Sequence, residues 1–190
     1  MANASDELCL NLQNCATELQ NGATKLNLPP ETFNILKDLR ETIKDVIPTE
    51  IKDKDSGSSL YIYDIECASL ARSIAEQKAQ DITGILSLAR MKRSGEIRVP
   101  RVFGLDKGGL KTGAFVGVCV LISDTVEVVL SPREMEKSPY TWMSDAITLF
   151  NENTTVWLPR SRANEKEEAT SRCGGRTIYF YLGIPVERQH

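Results

Sequence analysis

The stretch FGLDKGGLKTGAF, Phe103 to Phe115, gathers glycines, two lysines and a threonine in the manner of a phosphate-binding loop. Such a loop needs G-x-x-x-x-G-K-[ST] between a strand and a helix, so that backbone N–H groups and the helix N-terminus hold the phosphates. Gly104 and Gly109 have the required separation, but Leu110 intrudes before Lys111-Thr112. The residues that follow, Ala114 to Ile122, form an apolar, valine-rich run that reads as a strand. The spacing therefore predicts a β-hairpin whose glycines supply positive φ angles. Nucleoside triphosphate hydrolysis is not expected from it, although Lys107 and Lys111 could touch a phosphate weakly.

A second candidate is LYIYDIECASL, residues 60–70. Two carboxylates at a strand end can hold metal ions that activate water. The segment resembles the first exonuclease motif of proofreading DNA polymerases and related 3′–5′ exonucleases. That resemblance implies Asp64 and Glu66 as ligands of two magnesium ions. The family's last motif sets a Tyr or His three residues before a final Asp. Here Tyr140 and Asp145 have four residues between them. The local alternative is that Asp64 caps a helix starting at Ile65, with Glu66 in its first turn.

Other chemistries lack their parts. The single histidine is His190, which leaves no Ser-His-Asp or Cys-His system. Cys9 and Cys15 lie six apart on a predicted helix and face different directions, and Cys67, Cys119 and Cys173 are isolated. Zinc spacings and the dinucleotide fingerprint are absent. No catalytic residue, metal ligand or cofactor is assigned. What stands out is charge: residues 90–113 carry Arg90, Lys92, Arg93, Arg98, Arg101, Lys107 and Lys111 against Glu96 and Asp106, in a chain of net charge −3. Such a basic island could meet an anionic partner, and these seven residues are the candidate binding site. The competing reading is a solvated face, with Arg90, Lys92 and Arg93 compensating a helix dipole.

The elements that would position these residues read as follows. Helical spacing covers residues 5–20, and a second helix starts at Pro29-Pro30, runs through Phe33, Leu36, Leu39, Ile43 and Val46, and stops at Pro48. The polar KDKDSGSS, residues 52–59, suggests a boundary between an N-terminal helical segment, 1–51, and an α+β core, 60–190; the alternative is one continuous domain. Leu60 to Tyr63 is a short strand or a lead-in. A helix follows from Asp64, a further one restarts at Asp81, and Ser94-Gly95 ends it. Beyond Gly95 the texture is β. Ile97, Val99, Arg101 and Phe103 share one face of a strand that Pro100 places at an edge. Ala114–Ile122 is a central strand, Thr125–Leu130 another, Tyr140–Phe150 a helix, and Thr154–Leu158 and Thr177–Tyr181 complete the sheet. Residues 160–176 form a charged loop. Phe103 and Phe115 read as core.

The class is α+β, helices first and a mainly antiparallel sheet second. Hydrophobic residues at 41% and charged residues at 26% suit a folded domain. The N-terminus lacks a signal-peptide pattern and no apolar run is long enough to span a bilayer. Five cysteines without paired spacing fit a reducing, cytoplasmic setting. By elimination the expected function is non-enzymatic: a structural protein, of viral matrix type, that self-associates into a homo-oligomer. Its island would contact RNA, nucleoprotein or an anionic membrane surface. The alternatives are an RNA-binding regulator such as a silencing suppressor, and the Asp64–Glu66 exonuclease.

Overall fold

The computed structural model describes residues 4–52, 59–133, 135–158 and 176–189. Its chain order begins with helix α1, Ala4–Gln20, strand β1, Ala23–Asn27, and helix α2, Pro30–Thr42, which a short 3-10 turn extends to Asp45. Strands β2, Thr49–Lys52, and β3, Ser59–Tyr63, precede the long helix α3, Ala68–Leu88. Nine strands follow: β4, Met91–Arg93; β5, Arg101–Lys107; β6, Gly109–Lys111; β7, Phe115–Leu121; β8, Val126–Pro132; β9, Ser138–Trp142; β10, Ala146–Phe150; β11, Thr154–Trp157; and β12, Thr177–Arg188.

Two antiparallel sheets result. The larger runs β1-β10-β7-β12-β5-β3-β2, with β4 paired to β12, and the smaller runs β6-β11-β8-β9. From β5 onward the chain crosses repeatedly between them: β5, β7, β10 and β12 lie in the large sheet, and β6, β8, β9 and β11 in the small one. Two facing sheets fed in this order make a jelly roll.

The large sheet is buried on both faces. Strand alternation sends Val116, Val118, Val120, Ile178, Phe180 and Ile184 toward the helices, where they meet Leu19, Leu36, Leu70, Ile74 and Ile85. The other face sends Leu105, Cys119, Leu121, Phe150 and Tyr179 toward Val128, Leu130, Trp142 and Val156 of the small sheet. Trp142 packs edge-on against Phe150, with ring centroids 5.1 Å apart. Arg40 of α2 ties the helical layer to the sheet ends. Its guanidinium donates to the carbonyls of Ile122 at 2.9 Å, Ser144 at 2.9 Å and Leu121 at 3.4 Å.

Several sequence expectations hold: α1, α2, the strand at Leu60–Tyr63, the central strand β7, and strands near 125–130, 154–158 and 177–181. The α+β class holds as well, but the helices do not simply come first. β1 already pairs with β10, Ala23 opposite Phe150 and Asn27 opposite Ala146. The helix expected over Tyr140–Phe150 is instead β9 and β10 with a turn at Ser144-Asp145. Trp142, Ala146 and Leu149 match a helical period only by coincidence, because β10 is apolar on both faces and shows no alternation.

Helix α3 is continuous, with no restart at Asp81, and begins at Ala68 rather than Ile65. Asp64 is exposed and caps nothing; Glu66 Oε1 instead accepts from the Ala68 N–H at 2.6 Å. The helix ends at Leu88, so Lys92 and Arg93 sit on β4, not in a last helical turn. The strand holding Phe103 is internal, since β5 lies between β12 and β3, and Pro100 precedes it. Residues 53–58 of the suggested linker and 160–175 of the charged loop, with Cys173, lie outside the described residues. Among the described residues no helix is long and apolar enough to cross a membrane.

The Arg40 fork yields a test. Arg40→Ala strips three carbonyls of a charged donor and should cost about 2–4 kcal/mol in urea unfolding. Arg40→Lys should recover under half of this, because an ammonium cannot reproduce the planar fork. A loss below about 0.5 kcal/mol for Arg40→Ala would show that water serves these carbonyls equally well.

Candidate functional site

The glycine-rich stretch that looks like a phosphate loop is where the jelly roll opens. Strands β5 and β6 do not pair as a hairpin: β5 joins β12 and β3, whereas β6 joins β11 in the other sheet. The chain crosses between sheets at Gly108, whose φ of 99° needs glycine, and turns back at Gly113, φ 61°. Gly104 and Gly109 serve a different purpose. A Cβ on Gly109 would stand 2.8 Å from Thr155 Cγ2, and one on Gly104 would stand 2.9 Å from the Tyr63 ring. They are small because another side chain lies against the backbone.

Thr112 pins the return. It is buried, its Oγ1 donates to the Asn151 carbonyl at 2.7 Å, and it accepts from the Thr154 N–H at 3.0 Å. The next residue pair, Gly113 and Asn153, is joined by a bond from the Asn153 N–H to the Gly113 carbonyl at 2.6 Å. This locks β6 and the start of β7 against β11.

Between the sheets at this end lies a cavity of about 520 Å³, within the range of small-molecule sites. Its walls are apolar and aromatic: Leu60, Phe103, Leu105, Leu110, Phe115, Trp157, Tyr179 and Tyr181 contribute. Its rim carries Ile51, Trp157, Arg98 and Lys111, all exposed. Tyr179 and Leu105 are buried and form the inner end. The Arg98 guanidinium lies 4.0 Å over the Phe115 ring, and the backbone N–H of Arg98 donates to the Gly183 carbonyl at 3.0 Å, which anchors the residue beside the cavity. Burial pushes the Tyr181 phenol upward, Cys119 adds to the shift, and Arg98 draws it partly back. Tyr179 is pushed well up by burial. Both phenols therefore remain protonated at neutral pH and can donate.

The basic island divides. Arg98 and Lys111 reach the cavity. Arg90, Lys92 and Arg93 stand elsewhere, beside the C-terminal end of β12: Lys92 is opposite Glu187, Arg93 donates to the Gly95 carbonyl at 2.6 Å, and the Arg90 carbonyl accepts from Gln189. Arg101 opens β5 opposite Tyr181 and is exposed, and Lys107 closes the same strand. Phe103 and Phe115 are half-buried cavity walls rather than closed core. Sequence reading missed Leu110, Trp157, Tyr179 and Tyr181. The run IYFYL held a signal for two of them, since period-two alternation puts Tyr179 and Tyr181 on one face and Phe180 on the other.

No family model and no curated protein sequence matches this chain. Solved structures do. An oxidoreductase of the 2OG-Fe(II) oxygenase family from Burkholderia pseudomallei superposes with a TM-score of 0.61 at 10% identity, over 94% of this chain and 92% of that one. A Pseudomonas putida prolyl-4-hydroxylase gives 0.52 at 10% identity, over 94% and 99%. The non-heme alpha ketoglutarate dependent epimerase SnoN from nogalamycin biosynthesis gives 0.51 at 7%, over 95% and 86%. The likeness is one of fold.

That finding corrects the functional expectation. The architecture is shared with enzymes, so the non-enzymatic viral matrix-type protein and the RNA-binding regulator are set aside. The exonuclease reading is set aside as well: Glu66 accepts from the Ala68 N–H at the start of α3, and no group of three His, Cys, Asp or Glu able to hold a metal occurs among the described residues.

The iron of such oxygenases is held by two histidines and a carboxylate. The residues here do not fit it. The chain has one histidine, and among the described residues the cavity is lined by no histidine, aspartate, glutamate or cysteine. Its polar groups are two cations, the two phenols and the already committed Thr112 hydroxyl. Such a set repels a divalent cation and attracts an anion. Manganese(II), as a stand-in for Fe(II), should show no saturable one-to-one binding at micromolar metal by electron paramagnetic resonance, with or without 2-oxoglutarate. A stoichiometric site would contradict the ligand deficit.

Proposed function

We propose that this chain uses the open end of its jelly roll to bind a small organic acid with an apolar or aromatic body. The observation that carries this reading is the pairing, in one cavity, of two rim cations, Arg98 and Lys111, with walls of Phe, Leu, Trp and Tyr and no acidic group among its described lining residues. Carboxylates bind a guanidinium through paired charge-assisted hydrogen bonds, and an ammonium adds a point charge. The apolar walls would supply most of the affinity, and the cations would set orientation. The reading concerns recognition of a small molecule at an enzyme-type pocket, and it keeps part of the basic island as an anion site while giving it a different partner.

The neighbours' descriptions support the same class of ligand. Two of them name 2OG or alpha ketoglutarate, an organic dianion. In this chain the anion would be held by side chains alone. A body richer in carbon than 2-oxoglutarate suits the aromatic walls better.

Titration calorimetry without added metal tests this. 3-Phenylpropanoate is expected to bind more tightly than 2-oxoglutarate. Arg98→Ala and Lys111→Ala should each weaken the aromatic acid by about five- to tenfold, as expected for loss of one charge-assisted contact. Both cations are exposed, so the melting temperature should move little. Binding that is unchanged in the double variant, or absent in the wild type, would refute the proposal.

A further inference from the structure

We infer that the ligand enters end-on, with its carboxylate at the Arg98 and Lys111 rim and a hydrogen-bond acceptor, such as a ketone or amide carbonyl, at the inner end, where the Tyr179 hydroxyl donates to it. The inference rests on the anion reading above and specifies the ligand class.

Tyr179 is fully buried, lines the cavity, and its hydroxyl has no hydrogen-bond partner. A buried hydroxyl without a partner loses its hydration and gains nothing in return, so such groups mark a place where something else binds. None of the side chains around it, Tyr181 among them, accepts a hydrogen bond from it. The Phe103 ring lies 5.9 Å away and the Trp142 ring 5.2 Å away, centroid to centroid. The Cys119 thiol, also close enough to raise the Tyr179 phenol, is a poor acceptor. Burial holds the phenol in its protonated form. The inner end thus offers a donor that lacks an acceptor, which a ligand oxygen can supply. A rim that attracts negative charge and a floor that offers a donor define a polarity along the cavity, with an apolar stretch of Phe103, Leu105, Leu110 and Phe115 between.

The test uses the full chain and two matched series of aryl alkanoates, with one to three methylenes between ring and carboxylate. One series carries a para-acetyl group and the other the isosteric para-isopropyl group. For at least one chain length the ketone should bind the wild type about tenfold tighter than its hydrocarbon partner, the worth of one buried hydrogen bond. Tyr179→Phe should abolish that difference while holding the hydrocarbons as the wild type does. The variant removes only an unpartnered hydroxyl, so without ligand it should melt at the wild-type temperature or above. Equal affinity of the two series for the wild type, or a preference that survives in Tyr179→Phe, overturns the inference and leaves the anion reading standing. So does a marked fall in melting temperature, which would mean the hydroxyl has a protein partner. Failure of both series to bind, or binding indifferent to Arg98→Ala with Lys111→Ala, overturns the anion reading and this inference together.

Discussion

Strand β12 must be buried on both faces and paired on both edges, and most of the architecture follows from satisfying it. Its residues pair with β7 from Tyr179 to Pro185, with β5 from Thr177 to Tyr181, and with β4 from Val186 to Arg188. Ile178, Phe180 and Ile184 need a helical layer, and Tyr179 needs a second sheet. Neither face could be left to water without exposing several large apolar side chains, each worth roughly 1.5–3 kcal/mol on burial. The three-layer arrangement of helices, large sheet and small sheet meets both demands. It also leaves one place where the sheets splay, between β5 and β12 on one side and β6 and β11 on the other.

That opening is held by backbone devices rather than by large side chains. Gly104 and Gly109 let Tyr63 and Thr155 lie against the strands, Gly108 and Gly113 carry the chain between sheets, and Thr112 bonds both Asn151 and Thr154. A rigid mouth suits a site that recognises its ligand by orientation, since less freedom is lost on binding. The glycines that suggested a nucleotide loop therefore shape a different pocket, with charge of the sign that phosphate chemistry would also have used. Arg98 and Lys111 are the part of the island that faces it.

The central strand β7, both N-terminal helices and the strand near Tyr63 were legible because their patterns are local. Long-range pairing was not. β1 is a strand because Thr24, buried and bonded to Glu18, lies opposite Leu149 of β10, and no property of ATKLN announces that partner. β10 was misread as helix because a strand buried on both faces loses its period of two. The turn at Gly108 was read as a hairpin because local glycine chemistry is the same whether the strands pair or part into separate sheets. The cations of the site were visible as charge, but their separation from Arg90, Lys92 and Arg93 depends on the fold. The function first inferred failed for the same reason: eliminating motifs left a structural role, whereas the tertiary arrangement resembles that of a 2OG-Fe(II) oxygenase family protein, in a chain with a single histidine.

The central claim is that a small organic anion occupies the cavity between the sheets. Trp157 stands in its wall, while Trp142 is buried between the sheets and does not line it. Tryptophan fluorescence during titration of the wild type with an aryl alkanoate, compared with Trp157→Phe, reads occupancy of that space directly. The account predicts a saturable change in emission for the wild type that is largely lost in Trp157→Phe. A saturable change of the same size in both proteins would mean that the ligand binds elsewhere, and would contradict it.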